Sequence, residues 1–185
     1  CFEGRTIHPD PMAHRLLKYA CDRSRRLRDN LDLDGYGESS SNPFNLEKRV
    51  QSLILQTSDS PKVSVIIPTF NHFKDVVACL ETISLAGDET PFEVIIVDDC
   101  SSPHESQGIS SIPGIRYLRH EKNLGFSAAC TTGVNASGAE FILLLNNDTE
   151  VFPGWLDSMT SEMDLHEKTG VVGSMIIRPS LFLQE

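Results

Sequence analysis

Three short apolar runs constrain this chain more than any other feature: Val63-Ser-Val-Ile-Ile67, Phe92-Glu-Val-Ile-Ile-Val97 and Phe141-Ile-Leu-Leu-Leu145. Each has the length and apolar content of a buried strand, and each is separated from the next by a helical pattern. That alternation predicts βα units around a mainly parallel sheet, hence an α/β fold. Every run also feeds directly into polar residues: Thr69 and Asn71, Asp98 and Asp99, Asn146 and Asp148. In an open α/β sheet the carboxyl ends of the strands share one edge, where ligands bind. Taken singly, each cluster is explained by the preference of Asn, Asp and Ser for turns and N-caps. Asp98 and Asp99, for example, could simply cap a helix after Ser101. Three successive strands ending this way predict one shared site.

The intervening segments read in the same way. Phe73, Val76, Val77, Leu80 and Ile83 form one helix face, and Gly114-Ile-Arg-Tyr-Leu118 is a shorter strand. A helix of small residues is expected over about 126–136, another from Pro153 to about Glu167, and a last strand over Val171–Ile177. Upstream, residues 10–31 have amphipathic helical spacing and Gly35–Ser41 has linker composition. Asn42-Pro43 looks like an N-cap with proline at the first helical position, opening a helix to about Gln56. The expected organisation is a helical N-terminal extension over 1–60, with 1–58 outside the core of the sheet, and an α/β domain over 61–185.

Charge narrows the function. Residues 1–61 hold nine basic and nine acidic side chains, so residues 62–185 carry the whole net charge of −10. Nucleic-acid binding depends on cationic side chains, which excludes that partner. No apolar run reaches the length of a membrane-spanning helix. A phosphorylated ligand here would need a divalent cation or backbone N–H groups to supply positive potential. The five cysteines never form C-x-x-C and fit reduced thiols in a cytosolic protein. Neither a G-x-G-x-x-G turn nor a Walker motif is present, which argues against a dinucleotide site and a P-loop NTPase.

The strand ends divide the chemistry. Asp98 or Asp99 can accept hydrogen bonds from a base N–H or a ribose hydroxyl. Asn146 and Asp148 can hold Mg²⁺ or Mn²⁺ through hard oxygen atoms, beside a diphosphate. The Asn123-Leu-Gly-Phe turn lets backbone approach a ligand at Gly125.

At these residues the chain resembles a known family. Val-Ser-Val-Ile-Ile-Pro-Thr-Phe-Asn (63–71), Val-Ile-Ile-Val-Asp-Asp-Cys-Ser (94–101), Asn-Leu-Gly-Phe-Ser-Ala-Ala (123–129) and Leu-Leu-Leu-Asn-Asn-Asp-Thr-Glu-Val (143–151) look like the four ordered motifs of family 2 glycosyltransferases, in a rhamnosyltransferase-like variant. The resemblance implies a GT-A fold, Rossmann-like with a mainly parallel sheet, truncated here, and a nucleotide-diphosphate sugar as donor. Carried over residue by residue, Pro68, Thr69, Phe70, Asn71, Asp98 and Asp99 would hold the nucleotide, with Asn123, Gly125 and Asn147 completing the donor site. Asn146-Asn147-Asp148 sits where the family has its Asp-x-Asp metal motif, with Asn146 replacing the first Asp. A neutral amide oxygen binds a hard cation less strongly than a carboxylate.

The resemblance further implies metal-dependent, inverting sugar transfer to the hydroxyl of a glycan or lipid-linked acceptor in polysaccharide synthesis, in the cytoplasm and peripheral to the inner face of a membrane. Inverting members place their catalytic base well downstream of the metal motif, so this segment alone is expected to be inactive. Two alternatives stay open: a non-catalytic nucleotide-sugar-binding remnant, and a nucleotidyltransferase of similar fold.

Overall fold

A computed structural model describes residues 43–166 and 168–174. Helix α1 (Pro43–Ser52) leads to strand β1 (Val63–Thr69), helix α2 (Phe73–Ala86), strand β2 (Phe92–Asp98), helix α3 (Pro103–Ser110) and strand β3 (Arg116–Arg119). Helix α4 (Phe126–Ala136), strand β4 (Phe141–Leu144) and helix α5 (Trp155–Leu165) complete the order. The strands lie in the order β3-β2-β1-β4, and every pairing is parallel. The expected parallel α/β sheet, with the 63–67 strand beside the 93–97 strand, is therefore what forms.

The connections wind outward from β1 to β3 and then jump back across the sheet to β4. A right-handed crossover in that reverse direction places its helix on the opposite face. Accordingly Phe73, Val77, Leu80, Ile109 and Leu156 join Val65, Ile67 and Val94 in the larger core cluster. On the other face, Ala129 of α4 meets Ile66, Ile95 and Val97. Strand β1 is thus covered on both sides and buried throughout. Within it, Ser64 donates to Glu93 Oε1 at 2.6 Å and accepts from Ser137 Oγ at 2.6 Å. Helix α4 sits unusually low on β1: a Cβ on Gly133 would lie 2.3 Å from Ile66 Cγ2.

Several expectations are corrected. The first helix ends at Ser52, not Gln56, and it is not outside the core. Its Val50, with the following Leu53, is buried in the larger cluster, each 6% exposed. An apolar face beside the sheet is buried whatever linker precedes it. Strand β4 is only half buried. Phe141 and Leu143 pack on the larger cluster, whereas Ile142 and Leu144 are 41% and 53% exposed. Helix α4 lies over β1 and β2, so among the described residues the matching face of β4 has no cover. Strand β3 begins at Arg116, after a turn in which Gly114 has φ 77°.

Residues 171–174 form no strand. The rest of that expected strand lies outside the described residues, as do the 10–31 helix, the 35–41 linker and the Asn42 cap. No helix among the described residues is long and apolar enough to cross a membrane.

Candidate functional site

Parallel register levels the strand ends: Thr69 pairs with Asp98, and Asp98 with Arg119. The polar clusters predicted from sequence therefore meet, but as two layers with different jobs.

The lower layer is a hydrogen-bonded frame. Asp98 is completely buried. Its Oδ1 accepts from the Ser101 backbone at 2.7 Å, and its Oδ2 accepts from the Tyr117 hydroxyl and from Arg119 Nη1 at 2.8 Å. Ser101 Oγ in turn accepts from the Asn71 backbone at 2.7 Å, and Asn71 Oδ1 accepts from the Ser102 backbone at 2.9 Å. Thr69 Oγ1 donates to the Asn71 carbonyl at 2.9 Å and accepts from Asn147 Nδ2 at 3.2 Å. One chain of bonds thus runs from β3 through the exits of β2 and β1 to the turn after β4. Burial alone pushes the Asp98 carboxyl up, but the Ser101 and Tyr117 hydrogen bonds and the Arg119 charge outweigh it and hold it below the usual carboxylate range.

This frame also carries strain. Asn71, His72 and Cys100 have φ of 60°, 59° and 69°, a left-handed region that costs a non-glycine residue on the order of 1–3 kcal/mol. The bonds to Ser101 and Ser102 hold Asn71 there.

The upper layer is a cavity of about 420 Å³. Pro68, Thr69, Phe70 and His72 line it from the exit of β1, and Asp99 from that of β2. Asn123, Gly125, Phe126 and Ala129 form the α4 side, and Asn146, Asn147 and Asp148 the β4 side. Nine of the eleven residues expected from sequence converge here.

Asn71 and Asp98 do not line it. The expectation that Asp98 meets a base or ribose is corrected: its oxygen atoms are consumed by β3 and the Ser101 turn. His72, Phe126 and Ala129 line the cavity without having been singled out. Their signal was positional, since His72 follows Asn71 in the same loop, and Phe126 and Ala129 share one face of the helix after Gly125.

Asp99 is 5% exposed at its side chain. Oδ1 accepts from the Leu124 backbone at 2.8 Å and His120 Nδ1 at 2.7 Å, and Oδ2 from the Gly125 backbone at 2.7 Å. Burial raises its pKa, but these bonds together lower it below the usual value. Gly125 has φ 89° and ψ 164°, a region that only glycine occupies readily. A Cβ there would meet nothing within 4 Å, so the backbone angle, rather than crowding, demands glycine. Helix α4 starts at this point, with the positive end of its dipole at the cavity.

Asn146 and Asp148 are exposed on a turn closed by the Thr149 N–H on the Asn146 carbonyl at 3.2 Å. No three His, Cys, Asp or Glu side chains come together as a metal cage among the described residues. One carboxylate plus one amide fits Mg²⁺ or Mn²⁺ nonetheless, because such ions commonly take remaining ligands from substrate phosphate and water. Beneath the turn, burial and then the Asp148 and Glu150 charges push the Cys79 thiol up to about 12. It stays protonated and takes no part in the donor set. Cys79, Cys100 and Cys130 are free thiols; Cys1 and Cys21 lie outside the described residues.

Comparisons with known proteins agree with the parallel α/β fold. The chain is 31% identical to polypeptide N-acetylgalactosaminyltransferase 16 of Mus musculus, over 65% of this chain and 22% of that protein. It is 29% identical to the O-antigen biosynthesis protein RfbC of Myxococcus xanthus, over 84% of this chain and 12% of that one. The chain therefore spans less than a quarter of either relative. Among solved structures, S. aureus TarS 1–349 aligns with a TM-score of 0.50 and 26% identity, over 66% of this chain and 40% of TarS. The mannosyltransferase PcManGT from Pyrobaculum calidifontis, solved with GDP-Man and Mn²⁺, shares the fold with a TM-score of 0.53 at 19% identity, over 75% of this chain and 43% of that one. The family model described as glycosyl transferase family 2 matches residues 64–182, and the chain belongs to that family.

Proposed function

We propose that this chain is the donor-binding part of an enzyme that moves a sugar from a nucleotide diphosphate to an acceptor hydroxyl, with inversion, in polysaccharide or cell-surface glycan synthesis. The observation that carries the reading is the single cavity uniting the exits of β1, β2 and β4 with the start of α4. The names of RfbC and of the Rhizobium meliloti succinoglycan biosynthesis protein ExoO, 28% identical over 56% of this chain and 30% of that protein, support the polysaccharide assignment.

In the reaction, a bond forms between the acceptor oxygen and the anomeric carbon. The bond from that carbon to the diphosphate breaks, and the acceptor proton passes to a base outside the residues assigned here. Phe70, 48% exposed, offers its ring to the nucleotide base. Asp99 accepts from a base N–H or ribose hydroxyl, and the start of α4 faces the diphosphate. Asn146 and Asp148 hold Mg²⁺ or Mn²⁺, which supplies positive charge to the departing diphosphate when bound. Among the described residues no Lys or Arg lines the cavity.

The test is thermal-shift screening of the intact protein against a panel of nucleotide-diphosphate sugars with Mn²⁺. At least one should raise the melting temperature, and the corresponding free monosaccharide should not. A flat response across the panel would refute the reading.

A further inference from the structure

His120 follows β3 and does not line the cavity, yet its ring bridges two parts of the cavity wall. Nδ1 lies 2.7 Å from Asp99 Oδ1, and Nε2 lies 2.8 Å from Thr132 Oγ1 on α4. The ring is 11% exposed. An ionised carboxylate only accepts, so the hydrogen sits on Nδ1. In the neutral ring Nε2 is then the acceptor, and the Thr132 hydroxyl donates to it. Both nitrogen atoms are committed, and the tautomer is fixed by its neighbours.

The consequence falls on Asp99. A carboxylate has about four lone-pair sites. The Leu124 N–H, the Gly125 N–H and His120 occupy three, which leaves one for a ligand. Two of those donors belong to a single turn and would tolerate some rotation of the carboxylate about it. The third, from the residue that follows β3, fixes which lone pair stays open. Through Thr132 the same ring ties α4 to the exits of β2 and β3, and the first turn of α4 carries Phe126 and Ala129 on the cavity wall.

Resting on the donor-site reading above, we infer that His120 is a positioning residue for the nucleotide. It aims the one open acceptor of Asp99 into the cavity and holds α4 over it. The contact to Asp99 makes this role chemically specific, because another side chain can replace it selectively. In His120→Asn the amide nitrogen takes nearly the place of Nδ1 and can donate to Asp99. In His120→Gln the longer amide reaches toward Thr132 instead.

The experiment is calorimetric titration of UDP and of GDP, each with Mn²⁺, into the intact protein and its variants. Loss of one hydrogen bond that orders a ligand group corresponds to about a tenfold change in affinity. His120→Ala should weaken binding of whichever nucleotide the unmutated protein takes by about that factor. His120→Asn should recover most of the loss, and His120→Gln should not. Equal affinity in His120→Ala and the unmutated protein would overturn the inference. So would equal losses in the Asn and Gln variants, the pattern of a residue that merely supports the fold. That pair decides the matter even if the Ala variant does not fold. Failure of the unmutated protein to bind either nucleotide would overturn this inference, whereas only a flat response across the nucleotide-sugar panel would overturn the donor-site reading beneath it.

Discussion

Asn147 donates its side-chain amide to Thr69 Oγ1 at 3.2 Å, joining the turn after β4 to the exit of β1 across 78 positions of sequence. The bond fixes the turn that carries Asn146 and Asp148 relative to the loop that carries Phe70. Asn147→Ala should weaken nucleotide binding several-fold while lowering stability by only about 0.5–1.5 kcal/mol, the net worth of one hydrogen bond. Thr69→Val should do the same. A double-mutant cycle read by titration should show the two losses to be non-additive; strict additivity would mean the contact does not transmit.

The frame below the cavity predicts an acid limit. In the folded protein the Asp98 and Asp99 carboxyls lie below their ordinary value of 3.8, because their hydrogen bonds overcome burial. The unfolded chain therefore takes up protons first as pH falls. The stability these groups contribute is present above about pH 4 and is lost as pH drops through their folded-state values. Asp98→Asn should cost on the order of 3 kcal/mol near neutrality, since it strands the partners of a buried charge. It should also flatten the acid loss, measured by urea denaturation at a series of pH values. An unchanged pH profile in the variant would contradict the assignment.

Metal dependence follows from the charge of the cavity. A diphosphate brought against Asp148 and Asp99, in a cavity that no Lys or Arg lines among the described residues, meets like charge, at a cost on the order of several kcal/mol at intermediate dielectric. Nucleotide-sugar binding should be much weaker in EDTA than in Mn²⁺ or Mg²⁺. Asp148→Ala should abolish the difference, and Asn146→Asp should preserve or enlarge it. Equal affinity with and without metal in the unmutated protein would remove Asp148 from this role.

Thiol chemistry separates Cys79 from Cys100. Cys79 is 1% exposed, and burial ahead of the neighbouring acids pushes its thiol up from 9.0 to about 12. The folded protein keeps that proton where the unfolded chain loses it. The associated stability is complete below pH 9 and declines as pH rises toward 12. A thiol reagent near pH 8 should modify half-exposed Cys100 readily and Cys79 only on unfolding, as peptide mapping by mass spectrometry would show.

Local pattern made most of the fold legible. The runs at 63–67 and 92–97 mark β1 and β2 within two residues, and the small-residue helix at 126–136 is as expected. Thr69, Asp99, Asn146 and Asp148 were readable because strand exits must converge in a parallel sheet, and Gly125 from its turn, whereas Pro68, Phe70, Asn123 and Asn147 came through the family resemblance. The roles within the site were less readable, since they depend on distant partners. Nothing near Asp98 announces that Tyr117 and Arg119 will claim it, and nothing near Asp99 announces His120. The exposure of Ile142 and Leu144 likewise depends on where α4 lands. A run of apolar residues records that both faces are apolar, without saying which is covered.

Gly133 gives the cavity its headroom. With a Cβ there 2.3 Å from Ile66 Cγ2, α4 could not descend to its present seat on β1. The height of the wall formed by Gly125, Phe126 and Ala129 is therefore set by a missing methyl group about two turns farther along the helix. One added carbon at that point would act as a shim, tilting the roof over the nucleotide while leaving every residue that faces the cavity chemically unchanged.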